Sequence, residues 1–163
     1  MKKYLTGFYQ EVFNKQYIHN DDEKVLIQKN TYLLEKLGLD LGNFLFLWDS
    51  YGPYSLEVRN IVNKEMGSDS ISEIINYSSF AQEIIQSIKD IIEAGKKLNQ
   101  TPRDWLEIVC SLHYIKNYTV PEDDVISTLE KKKARFNNRV ITSNALKIVN
   151  IIDTTGCYDA SCY

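Results

Sequence analysis

Apolar side chains recur at the spacing of an amphipathic α-helix through most of this chain. The longest such stripe comprises Phe80, Ile84, Ile85, Ile88, Ile91, Ile92 and Gly95. Residues three and four apart lie on one face of a helix, so the stripe predicts a helix that buries one side. Because such helices are stabilised by packing on one another, we expect a mainly α protein, a compact bundle of about six or seven helices.

Polar residues mark where several of these helices begin or end. The expected N-caps are Asn20 or Asp21, Thr101, and Asn137 or Asn138. Their side-chain oxygens can accept hydrogen bonds from the first free backbone N–H groups of a helix. Gly38 is expected to close the second helix in the left-handed conformation. A further helix is expected to begin at about Glu122, directly after Pro121.

A minor β element is expected beside the helices. Residues 44–48 are apolar or aromatic and form a run of strand length, which indicates a short buried strand. Residues 71–77 fit either a helix or a strand, and we assign them to a possible second short strand.

Between the apolar run and the next helix stands a corner, Trp48-Asp49-Ser50-Tyr51-Gly52-Pro53-Tyr54-Ser55. Proline fixes its own φ and biases the preceding glycine away from the right-handed helical region. Ser55 can then cap the helix that follows. The corner therefore holds its aromatic side chains rigidly. Two interpretations stay open: a packed structural turn, or a recognition surface built on tyrosine.

Size and composition restrict the classes of protein to consider. The chain has 163 residues, which predicts one domain, expected at 1–152, followed by a flexible polar tail at 153–163. Its net charge of −3 gives no general attraction to nucleic acid. No apolar run approaches the roughly 20 residues of a membrane span, and no secretory signal is evident, so we expect a cytoplasmic protein.

The sequence predicts no enzyme, no cofactor and no metal site. Phosphate loops, zinc helices and nucleophile elbows are missing from the sequence. Cys110 and His113 stand three residues apart in one expected helix and can meet on one face. A cysteine–histidine enzyme is therefore a third hypothesis, although Cys110 fits the buried stripe and no third catalytic group follows from the sequence.

One basic cluster follows the sixth expected helix. It comprises Lys131, Lys132, Lys133, Arg135 and Arg139. Cations at the carboxyl end of a helix are favourable for electrostatic reasons, so the cluster can be a solvated helix end. Alternatively it can contact phosphates, which makes a nucleic-acid-binding regulator of winged-helix-like outline the second hypothesis.

Four segments carry a family resemblance. The helix Val25–Glu35, the corner YGPYS at 51–55 and the stretch from Trp105 to Tyr114, with its WLE and SLHY motifs, resemble the YwgA-like family, which is related to the Panacea (SocA-like antitoxin) domain. The segment from Leu129 to Ala145 is similar to that family's closing segment. The resemblance spans roughly 25–148, and the three consecutive lysines depart from it most.

The resemblance implies a non-enzymatic protein–protein interaction module of antitoxin or adaptor type, carried by a bacterium or phage. Its expected partner is a protein, such as a toxin or another component of a toxin–antitoxin or phage-defence system. We predict that the contact surface includes Trp48, Tyr51, Tyr54 and Arg59. The planar guanidinium of Arg59 suits a carboxylate on the partner.

Overall fold

The computed structural model describes residues 2–15, 20–65, 76–119 and 124–155. Within these ranges the chain forms α1 (Lys2–Phe13), α2 (Asp21–Lys36), β1 (Leu47–Asp49), β2 (Gly52–Tyr54), α3 (Leu56–Glu65), α4 (Ser79–Lys96), α5 (Pro102–Tyr118), α6 (Val125–Lys132) and α7 (Arg139–Thr155). A single 3-10 turn, Ala134–Phe136, separates α6 from α7. The predicted mainly α bundle of six or seven helices with a minor β element is confirmed.

The helix signals of the sequence are largely confirmed. Asn20 Oδ1 accepts from the N–H of Glu23 at 3.0 Å, and Thr101 Oγ1 accepts from the third residue of α5 at 3.1 Å. Asn138, rather than its neighbour, caps α7. Gly38 has φ 100°, as expected of a left-handed helix end. Within the described residues α6 begins at Val125 with Asp124 as its cap, later than predicted, and 120–123 lie outside them.

The predicted strand at 44–48 is wrong in its bounds. Strand β1 begins only at Leu47, because its partner is the other arm of the corner, and only residues opposite Gly52–Tyr54 have a ladder partner. Phe46 lies outside the sheet. It is buried because its ring packs edge-on against Tyr32, with the ring centroids 5.0 Å apart. Of the predicted second strand, 71–75 lie outside the described residues, and Asn76 and Tyr77 form no strand.

The corner is thus the turn of a β-hairpin. Leu47 pairs with Tyr54 and Asp49 with Gly52, in antiparallel register. Gly52 has φ 83°, a conformation that glycine adopts without steric cost. The rigid corner expected from the Gly-Pro pair therefore takes the form of a closed hairpin.

The folded domain extends further than predicted, because α7 continues through Thr155. Asp153, placed by the sequence at the start of the tail, accepts from Asn117 Nδ2 at 3.1 Å and from Lys116 Nζ at 2.5 Å. These contacts hold the end of α7 against α5. Residues 156–163 lie outside the described part of the chain.

Helix α5 forms the centre of the bundle, with α2, α4, α6, α7 and β2 packed around it. Trp105 at its start is 1% exposed and donates from Nε1 to the carbonyl of Ile91 in α4 at 2.6 Å. A Cβ at Gly95 would lie 2.3 Å from the indole ring, so glycine permits this close approach of α4 to α5. None of the helices in the described ranges combines the length and apolar composition needed to cross a bilayer.

Candidate functional site: the groove beside the hairpin

An open groove of about 1230 Å³ runs between the hairpin, α2 and α3. We call it the hairpin groove. Its lining consists of Asp21, Lys24, Val25, Ile27, Gln28 and Lys29 from α2, Asn43, Leu45, Leu47, Trp48, Asp49, Tyr51 and Tyr54 from the hairpin segment, and Leu56, Glu57, Arg59, Val62 and Asn63 from α3. All four residues predicted for a contact surface line it.

The four residues are positioned by different contacts and different elements. Trp48 is half-buried, with its indole 5.9 Å from the ring of Tyr114. The exposed ring of Tyr51 lies 5.1 Å from the guanidinium of Arg103, a cation–π distance. Tyr54 is half-buried at the end of β2, and Arg59 stands on the first turns of α3. Hairpin pairing and the start of α3 therefore bring the four predicted residues to one surface.

Three exposed leucines on the groove were missed by the sequence prediction. Leu45 is 67% exposed, Leu47 59% and Leu56 58%. The predicted buried strand at 44–48 differs from the structure, in which the side chains alternate: Phe46 points into the core and its two neighbours face solvent. Alternation with a period of two is the signature of an extended segment at the edge of a core. The position of this apolar run directly before a turn is the sequence signal that could have indicated such an edge segment.

Helix α2 clamps the hairpin through buried polar side chains. Gln28 donates from Nε2 to the carbonyl of Ser55 at 3.0 Å and accepts from the N–H of Ser55 at 3.0 Å. Lys29, 1% exposed, donates from Nζ to the carbonyl of Pro53 at 2.7 Å. Both residues lie within the helix predicted at Val25–Glu35, and neither was predicted to be functional. They fix the position of β2 relative to α2.

A second clamp comes from α5 and the end of α6. Lys133 Nζ donates to the carbonyl of Ser50 at 2.7 Å and to Glu107 Oε1 at 2.5 Å. Arg135 Nη2 donates to the other carboxylate oxygen of Glu107 at 2.5 Å. The side chain of Glu107 is fully buried and that of Lys133 is 5% exposed. The turn of the hairpin is therefore held by a buried carboxylate bridged by two cations.

Burial dominates the electrostatics of these lysines. It lowers the pKa of Lys29 to about 8, while the neighbouring Cys110 and Glu107 act in the opposite direction. Burial also lowers the pKa of Lys133, against the hydrogen bond and charge of Glu107. Burying these two ammonium groups is costly. The cost is offset by their hydrogen bonds to the hairpin carbonyls and, for Lys133, by the charge of Glu107.

Part of the predicted basic cluster is paired with carboxylates. Lys133 and Arg135 both contact Glu107, and Arg139 Nη2 lies 2.9 Å from Glu130 Oε2. Lys131 and Lys132 are exposed, and Lys132 Nζ lies 5.3 Å from the ring of Trp48. Lys133, Arg135 and Arg139 therefore face carboxylates.

Cys110 and His113 lie in α5 as predicted, but each has its own buried surroundings. Cys110 is 0% exposed, and burial raises the pKa of its thiol to about 12. His113 Nδ1 lies 2.8 Å from Tyr32 Oη, and Nε2 lies 3.2 Å from Asp153 Oδ1. Tyr32 and Asp153 were not predicted as its neighbours, because both are distant in sequence. The histidine thus links α2, α5 and α7.

The neutral form of His113 is expected to make stability depend on pH. Burial lowers its pKa from 6.5 to about 4, helped by the nearby Lys36 and Lys116 and opposed by Asp153. Between these values the unfolded chain binds more protons, so the free energy of unfolding falls as pH falls from 6.5 to 4, by about 3 kcal/mol from this group. Urea unfolding across this range, compared with His113→Gln, measures the effect. Equal pH dependence in both proteins would contradict it.

Among the described residues, no group of three or more His, Cys, Asp or Glu side chains could hold a metal ion. Comparison with protein-family models, with curated proteins and with solved structures finds no match to this chain.

Proposed function

We propose that this protein is a non-enzymatic protein–protein interaction module and that the hairpin groove is its partner site. The observation that carries the proposal is the position of Trp48, Tyr51, Tyr54 and Arg59 around one groove. Large aromatic side chains and arginine dominate the energetics of protein interfaces. Here they stand beside three exposed leucines, which supply apolar area for a partner to cover.

The two clamps support the same proposal. Lys29, Lys133 and Glu107 hold the hairpin through buried charges, and apolar residues would fill such positions at no greater cost in stability. A hairpin that is already rigid before binding loses less conformational entropy when the partner binds. The clamps therefore favour a preorganised recognition surface over a turn that merely connects β1 to α3.

The resemblance to YwgA-like and Panacea proteins suggests which kind of module this is. We propose an antitoxin or adaptor role, with a toxin or defence-system component as the protein partner. A nucleic-acid-binding regulator that uses Lys131, Lys132 and their neighbours is the alternative. That alternative ranks second because Lys133, Arg135 and Arg139 face carboxylates. It predicts DNA or RNA binding that weakens steeply as salt is added.

Affinity capture from the native host with matched variants tests the proposal. Tyr54→Ala combined with Arg59→Ala removes an aromatic ring and a cation from the groove. Tyr118→Ala combined with Lys147→Ala removes the same kinds of group from exposed positions outside it. We expect one stoichiometric protein partner that the groove variant loses and the control retains. Equal recovery by both variants, or recovery of nucleic acid alone, would contradict the proposal.

A further inference from the structure

Strand β1, whose residues line the hairpin groove, has one unpaired backbone edge. The sheet has two strands in the described residues, so β1 has a neighbour on one side only. Because Pro53 has no N–H, the pair Trp48–Pro53 is the one whose backbone groups point away from the ladder. The contact from Lys29 to the outward carbonyl of Pro53 agrees with this geometry. The N–H and C=O of Trp48 therefore point outward from the other edge.

No hydrogen bond within the described residues reaches the outward backbone groups of that edge. Neither the N–H nor the C=O of Trp48 has a hydrogen-bond partner there, and the same holds for Phe46 two residues earlier. Proteins usually protect strand edges with prolines or charges, or by covering them. Strand β1 contains no proline, and its one charged residue, Asp49, stands at its end. An extended peptide can pair with such an edge.

The side chains beside the edge indicate what such a peptide carries. Leu45 and Leu47 are exposed on alternate positions of the same segment, so apolar residues at alternate positions of a paired strand can cover them. Arg59 lines the groove with an exposed guanidinium that makes no ion pair within the described residues. A carboxylate is its strongest complement, through two parallel hydrogen bonds. Because Asp49 and Glu57 also line the groove, a single carboxylate fits better than an acidic tract.

We infer that the hairpin groove binds an extended segment of a partner protein by strand addition to β1, with alternate apolar residues on Leu45 and Leu47 and one carboxylate on Arg59. This inference rests on the proposed function and specifies the chemistry of its partner. It requires the backbone N–H of Trp48 as a hydrogen-bond donor, which the proposed function alone does not.

A displayed library of random 12-residue peptides, selected against the intact protein, supplies the probe. The tightest peptide is then titrated against Trp48→Pro and Trp48→Ala. Both variants lose the indole, but only the proline variant loses the N–H, and that N–H takes no part in the pairing with β2. We expect the proline variant to bind at least about tenfold more weakly than the alanine variant. Equal affinities would overturn strand addition.

The first of two further titrations uses only the unmodified protein, so it does not depend on the folding of a variant. Methylating the peptide nitrogen that faces β1 is expected to weaken binding about tenfold, and no change would overturn the inference. Replacing the peptide's carboxylate by an amide is expected to weaken binding to the wild type but not to Arg59→Gln. Equal losses in both proteins would overturn the role of Arg59.

The outcomes separate this inference from the proposed function. A selection that yields no peptide dependent on Leu47 overturns strand addition, since pairing with an exposed edge needs only a short segment. A cellular partner that still depends on Tyr54 and Arg59 would then leave the proposed function standing. Loss of both the peptide and the groove-dependent partner would remove both.

Discussion

Glu107→Ala is expected to lower the free energy of unfolding by about 3 to 5 kcal/mol, because it removes one partner of a buried ion pair. The carboxylate of Glu107 is fully buried and contacts Lys133 Nζ at 2.5 Å. Without it, the ammonium of Lys133 stays buried beside Ser50 with no opposite charge in contact. Urea unfolding followed by circular dichroism measures the loss.

A double variant separates the charge effect from the loss of packing. Glu107→Leu with Lys133→Met replaces the buried pair by apolar side chains of similar size, which in other proteins is neutral or stabilising. We expect it to recover most of the stability lost in Glu107→Ala. A single variant that costs less than about 1 kcal/mol would show that the pair does not hold the hairpin as described.

Gly52→Ala is expected to cost about 3 kcal/mol or more, for two additive reasons. The φ of 83° is unfavourable for any L-residue with a side chain, by about 1 to 2 kcal/mol. In addition, a Cβ at this position would lie 2.3 Å from Ser111 Oγ, which requires a backbone or side-chain shift. Thermal or urea unfolding of the variant checks the sum.

Ser111→Ala distinguishes the two causes. The hydroxyl of Ser111 is buried and has no hydrogen-bond partner among the described residues, so its removal alone is expected to cost little. In the double variant with Gly52→Ala, the nearest remaining atom of residue 111 is its Cβ, at 3.5 Å, an ordinary contact. The double variant should therefore retain only the backbone cost. Failure of Ser111→Ala to recover any stability would contradict the close approach of the hairpin to α5.

Helix positions and caps were predictable because their signals are local. The isoleucine stripe of α4 and the caps Asn20 and Thr101 each act within a few residues. The strand bounds were not predictable in the same way. They depend on which residues face one another across Tyr51, and apolar character alone does not determine that pairing.

Trp48, Tyr51 and Tyr54 were predictable because they lie in the corner, and Arg59 because it lies on the helix that leaves it. The clamps were not predictable. Lysine is mostly found at protein surfaces, so the sequence gives no reason to bury Lys29 or Lys133. Their partners, Pro53 and Glu107, are 24 and 26 residues away along the chain. Only the packing of α2, α5 and the hairpin brings them together.

Site-directed photocrosslinking tests the central claim, that the hairpin groove is a partner site, most directly. A photoreactive amino acid replaces Leu47 in the groove or, as a control, Ile151 on α7, and both positions are 59% exposed. Irradiation in the native host is expected to yield a discrete crosslinked protein from position 47 that is missing from position 151. Crosslinks from position 151 alone, or the same products from both positions, would contradict the assignment of the groove.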